Sequence, residues 1–179
     1  REHGSEEAHH PDFWFFQDDL MQHSFSPVWA EKLKMRMKKK IAGGRRGGGL
    51  WRRVRFISNG LLSNDYAAVL KNADVVLDTM PFGSFVSSLE ALSLGTPVVT
   101  LGRKQRKGGG RLVQGFYEWA GMAADETGVA CCDAASVEEY VEISVRLASD
   151  EDFRKSVVAR IKGSFRGQRG EEKEEEVCD

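Results

Sequence analysis

DVVLDTMPFGSFVSSLEALSLGTPVVTL, residues Asp74 to Leu101, is the stretch whose reading decides the fold. Asp74 to Asp78 carries an unbroken Val-Val-Leu, the pattern of a parallel strand buried on both faces. Pro81 and Gly83 break that run and mark a turn. Ser87 to Leu94 then has helical character and meets Gly95, a frequent helix-ending residue. Pro97 to Leu101, Pro-Val-Val-Thr-Leu, is again a short buried strand. Strand, turn, helix and strand in this order make one parallel β-α-β unit.

The flanking sequence repeats the alternation. Upstream, Asp12 to Gln17 is a short aromatic run that reads as a buried strand. Pro27 to Ile41 reads as a helix with Trp29, Leu33, Met37 and Ile41 on one face and lysines forming a solvated face elsewhere. Gly43 to Gly49 reads as a flexible loop because so many glycines weaken a helix. Arg53 to Ser58 alternates as a strand, and Asn64 to Asn72 forms a helix with Ser63 placed to cap it. Downstream, Arg111 to Ala120 is helical, Gly128 to Cys132 is a fifth strand, and Ser136 to Leu147 and Asp150 to Phe165 are helices. The expected architecture is a doubly wound α/β fold with a parallel, Rossmann-like sheet. Residues 1–11 read as a polar tail, 12–165 as the domain, and 166–179 as a disordered charged tail.

Composition narrows the function. With 41% hydrophobic and 30% charged residues and a net charge of −1, the 179-residue chain has no overall pull toward nucleic acid or an anionic membrane. No apolar run reaches the roughly 20 residues needed to span a bilayer. Three cysteines, two of them adjacent at Cys131 and Cys132, make no secreted disulfide framework and read as reduced core residues. No metal-ligand spacing is present, so no metal is expected. These features point to a cytoplasmic or nucleocytoplasmic protein.

Ligands of open parallel sheets bind beyond the carboxyl ends of the strands. Here that place is Asp78 to Glu90, where a strand ends and two serines open a helix. Unsatisfied N–H groups and hydroxyls at a helix start cradle phosphate. Glu90, one turn in, can accept hydrogen bonds from both hydroxyls of a ribose diol. A second reading stays open: Ser87 caps the helix and Glu90 closes a capping box.

The segment from Asp74 to Leu101 resembles the protein O-GlcNAc transferase and SPINDLY group. Shared features are a strand, Leu-Asp-Thr and Pro, a small-residue turn, hydroxyl residues, an acid and then Gly-Thr-Pro. The resemblance covers Asp12 to Phe165 and is densest over Leu77 to Thr100. It implies the C-terminal, donor-binding half of a GT-B glycosyltransferase, inverting and metal-independent, of a kind found with TPR repeats. It needs no cofactor beyond the nucleotide-sugar donor, UDP-GlcNAc or GDP-fucose, and implies a protein acceptor modified at Ser or Thr.

Carried over residue by residue, the family's diphosphate-binding hydroxyl pair matches Val86 and Ser87, with Ser88 next and Ser84 in the turn. The histidine commonly before that pair is Phe85 here. The ribose-binding acid matches Glu90, a nucleobase-side histidine becomes Tyr66, and Arg111 matches a family arginine. After Leu101 the family's Pro-Gly-Glu is replaced by Gly102 to Gly110, rich in Gly, Arg and Lys.

The resemblance also implies an N-terminal catalytic domain and a first strand ending in Gln and Lys, which residues 1–11 do not supply. In the order 3-2-1-4-5-6 that strand is central. Its absence is expected to leave backbone groups unpaired and the isolated chain poorly stable and inactive. No convincing general base is evident. The alternatives are a non-catalytic nucleotide-binding or scaffold module and a sugar-nucleotide epimerase; the latter demands further acids and histidines.

Overall fold

β4 (Val98–Leu101) is buried along its whole length, and the larger part of the molecule is built around it. The computed structural model describes residues 12–17, 26–43, 47–58, 63–80, 83–101, 112–122 and 132–171. The chain packs as two compact units, Arg1–Ser63 and Asn64–Asp179. The segment 12–165 expected as the domain includes parts of both units.

In the second unit the elements are α3 (Ser63–Asn72, which begins at the division), β3 (Val76–Leu77), α4 (Val86–Ser93), β4, α5 (Leu112–Trp119), β5 (Asp133–Ala134), α6 (Val137–Ser149) and α7 (Glu151–Glu171). The three strands form a parallel sheet in the order β3-β4-β5. Val76 pairs with Val98 and Leu77 with Val99, while Thr100 pairs with Asp133 and Leu101 with Ala134. Helices α4, α5 and α6 all pack on β4, which explains why its apolar run carries no polar alternation. Leu92, Val98, Val99, Val113, Leu147 and Ile161 are almost fully buried in one core. Each such side chain contributes about 1.5–3 kcal/mol relative to its exposed state.

Turn chemistry fixes where these elements stop. Gly95, with φ of +87°, follows the α4 cap residue Leu94. Its N–H donates to the Leu92 carbonyl at 2.9 Å, and the Thr96 N–H donates to that of Ala91 at 2.9 Å, a Schellman closure. The Lys162 side chain crosses the same glycine so closely that a Cβ would lie 2.5 Å from its Cε. At the other end of the sheet, Ser136 accepts the Glu139 N–H at 3.1 Å, and the Glu139 carboxylate accepts the Ala135 N–H at 2.7 Å. The pair caps α6 in the manner of a capping box, with the Glu139 carboxylate reaching one residue past the N-cap to Ala135.

The first unit holds β1 (Phe13–Gln17), α1 (Ser26–Ala42), α2 (Gly47–Trp51) and β2 (Val54–Ser58), with β1 and β2 parallel from Phe13↔Val54 to Gln17↔Ser58. Phe15 stacks on its ladder partner Phe56 at 5.5 Å, and Lys34 Nζ lies 5.1 Å over the Phe56 ring. No side chain described in this unit is fully buried. Leu33, expected on an apolar face, is half exposed. Lys32, Lys38, Lys39 and Lys40 are exposed, as expected of a solvated face.

Three expectations need correction. Gly47–Trp51 is a helical turn rather than part of a flexible loop; residues 44–46 lie outside the described residues. Glycine costs about 1 kcal/mol per position in a helix, and here Trp51, tilted against Phe56 at 6.3 Å, anchors the turn. The fifth strand reaches Asp133–Ala134, beyond the Cys132 end expected for it. Its ladder starts where the Cys132 carbonyl accepts the Thr100 N–H at 2.8 Å; residues 128–131 lie outside the described residues. Helix α7 runs past Phe165 to Glu171, into the segment expected as a disordered tail.

The α/β class, the alternation and the parallel sense are as the sequence indicates. The observed orders β1-β2 and β3-β4-β5 match the second and third, and the fourth to sixth, strands of the expected series. The first strand of that series has no counterpart among the described residues. No helix among them is long and apolar enough to cross a membrane.

Candidate functional site

Asp78 follows β3 and is the buried acid on which the turn into α4 is hung. Its N–H donates to the Val99 carbonyl at 2.9 Å, continuing the ladder one residue past the strand. Its Oδ2 accepts the Thr100 hydroxyl at 2.7 Å. Its Oδ1 accepts the Ser84 N–H at 2.8 Å and faces the Ser84 hydroxyl at 3.4 Å. The Ser84 hydroxyl in turn lies 2.5 Å from that of Ser88. From α6, the Tyr140 hydroxyl donates to the Asp78 carbonyl at 3.0 Å. One short segment is thereby bonded to β4, to α4 and to α6.

This anchoring sets where α4 begins. Phe85 occupies the N-cap position with φ of −96° and ψ of −70°, and no side chain caps the helix. The expected capping box of Ser87 and Glu90 does not form, because Ser87 lies inside the first turn rather than before it. The first intrahelical bond runs from the Leu89 N–H to the Phe85 carbonyl at 3.1 Å. The N–H groups of Val86, Ser87 and Ser88 therefore precede the ladder, as in every helix start. The partial positive charge of the helix also collects there.

The candidate residues divide by position. Ser87 is half-buried in the first turn and Glu90 is exposed one turn along. Val86 is 59% exposed where a hydroxyl is expected. Phe85 is half exposed and leans on Phe116 of α5, ring centroids 5.5 Å apart. Ser88 is fully buried and engaged with Ser84. Tyr66, on α3, is half-buried against the core of its unit. Arg111 and the Gly102 to Gly110 loop lie outside the described residues. Among the described residues, no cluster of His, Cys, Asp or Glu suits a metal, and Cys132 is buried.

Sequence reasoning did not indicate that Asp78, Thr100 and Tyr140 are bonded together beneath the start of α4. The available signal was the acid that closes the apolar run Val-Val-Leu at Asp78.

A separate open cavity of about 520 Å³ lies among Lys71, Asp74, Gly95, Thr96, Arg154 and Lys162, near the starts of β3 and β4. It is at the opposite strand ends from the α4 start. Arg154 there is committed to Asp74 at 3.2 Å and to the Leu147 carbonyl at 2.7 Å. The carbonyl ends of α3 and α4 face this region, and lysines near helix C-termini offset that partial negative charge.

The alternating strands and helices with parallel sheets match the fold of a glycosyltransferase domain. The chain resembles a solved mutant of the Thermobaculum terrenum O-GlcNAc transferase, with a TM-score of 0.58 and 26% sequence identity over 79% of this chain. The match covers 24% of that protein's chain, so this chain spans about a quarter of its length. No family model and no curated protein matches the chain.

Proposed function

We propose that the unit Asn64–Asp179 is the donor-binding part of an O-GlcNAc transferase-like glycosyltransferase. In this reading it holds a nucleoside diphosphate sugar such as UDP-GlcNAc. The N–H groups at the start of α4 and the Ser87 hydroxyl receive the diphosphate, and Glu90 receives the ribose diol. Tyr66 stands on the nucleobase side, where an aromatic ring can stack, and Arg111 adds charge. Transfer to Ser or Thr of a protein acceptor requires a catalytic domain acting with this one.

The observation that carries the proposal is the uncapped α4 start beside Asp78 in a fold matched by an O-GlcNAc transferase. A second reading, a nucleotide-binding or scaffold module without catalysis, is favoured by the exposed apolar side chains of Phe85 and Val86. Calorimetric titration with UDP and GDP tests the site. Saturable binding of either, weakened about tenfold by Ser87→Ala or Glu90→Ala, is expected from the loss of one hydrogen bond to a charged or diol group. Binding indifferent to both substitutions would refute the assignment. With UDP-GlcNAc, a protein acceptor and the catalytic domain supplied, transfer supports the enzyme reading; sugar-nucleotide binding without transfer favours the module.

A further inference from the structure

We infer that Asp78 is a positioning residue for the nucleotide-diphosphate site at the α4 start, acting through a buried relay of Ser84, Ser88 and Thr100. The inference rests on the donor-binding reading and adds the residue that gives the site its shape. Asp78 is 2% exposed, so its carboxylate does not meet ligand in solution. Its two oxygens divide their work between β4, through Thr100, and the turn, through Ser84. A carboxylate only accepts hydrogen bonds, so every bond it makes fixes a donor.

The Ser84 N–H is the key donor. Held at 2.8 Å, it draws the turn down on the strand end just before Phe85. The Ser84 hydroxyl has one proton. Given to the carboxylate, the stronger acceptor, it leaves the Ser84 oxygen to accept from Ser88 across 2.5 Å. Ser88 thereby ties the first turn of α4 to the same carboxylate. With this relay intact, the first-turn N–H groups hold one direction without a capping side chain. A ligand oxyanion then finds its donors preorganised.

The test uses the full chain and three substitutions, Asp78→Asn, Ser84→Ala and Thr100→Val, with Thr100→Ser as the conservative rescue. UDP and GDP binding is measured by calorimetry, and amide hydrogen exchange is read over residues 83–90 and over Val98–Leu101. Asp78→Asn is expected to weaken nucleotide binding about tenfold, the effect of losing a charge-assisted bond, and to speed exchange over 83–90 while Val98–Leu101 stays protected. Thr100→Val is expected to behave likewise, and Thr100→Ser like the wild type. If Asp78→Asn fails to fold, Ser84→Ala and the Thr100 pair decide.

Nucleotide binding by the wild type that none of the three substitutions weakens overturns the positioning role and leaves the donor site standing. A wild type that binds neither nucleotide overturns the donor site and the positioning role of Asp78 together. Faster exchange spread equally over Val98–Leu101 shows general loosening and also overturns the inference.

Discussion

Val86 and Ser87 occupy adjacent positions in the first turn of α4, and only Ser87 carries a hydroxyl. Val86 is the departure that most weakens the proposed site. It is 59% exposed, so a threonine of nearly the same shape meets no packing obstacle there. Val86→Thr is expected to tighten UDP or GDP binding by about threefold to tenfold, the worth of one added hydrogen bond. No change in affinity would show that position 86 does not face the diphosphate. Ser88 teaches the opposite lesson. In sequence it reads as a third hydroxyl of the site, yet it is fully buried against Ser84. Burial of a helix serine leaves no periodic mark. Nor do the bonds from Asp78 to Thr100 and Tyr140, which span 22 and 62 residues.

Elements were legible wherever local chemistry and packing agree. Val98–Leu101 is apolar because it is covered on both faces, and α4 stops where Gly95 stands. The α4 stop has a measurable consequence. Gly95→Ala places a Cβ at positive φ and against Lys162, and is expected to destabilise the chain by about 1–2 kcal/mol in urea unfolding; the flexible lysine can move aside, so backbone strain dominates. A change below a few tenths would mean that the Schellman closure does not hold the end of α4. Legibility failed where a tertiary contact outweighs propensity. Gly47–Trp51 is helical because Trp51 has Phe56 to lean on, and glycine content alone argues the reverse. At the start of α4, the alternative that Ser87 and Glu90 form a capping box has the right spacing and is not realised. The anchoring of Ser84 by Asp78 moves the cap position to Phe85.

At the scale of the whole chain, the two units differ in kind. The unit Asn64–Asp179 has a closed core from Leu70 to Phe165. The described part of Arg1–Ser63 has a two-stranded ladder, an aromatic cluster around Phe56 and no fully buried side chain. A two-stranded pairing is marginal alone. The parallel α/β character was readable from alternating apolar runs; the division near residue 63 was not, because both units share that alternation. Exchange protection scales with local opening free energy. Backbone amides of β4 and of α7 near Ile161 should therefore exchange more slowly than those of β1 and β2, by on the order of a hundredfold.

The same hydrogen-exchange measurement, repeated with saturating UDP or GDP, tests the central claim most directly. The account predicts added protection concentrated at Val86 to Glu90, at the start of α4. No added protection with either nucleotide, or protection confined to the cavity between Lys71 and Lys162, would contradict it.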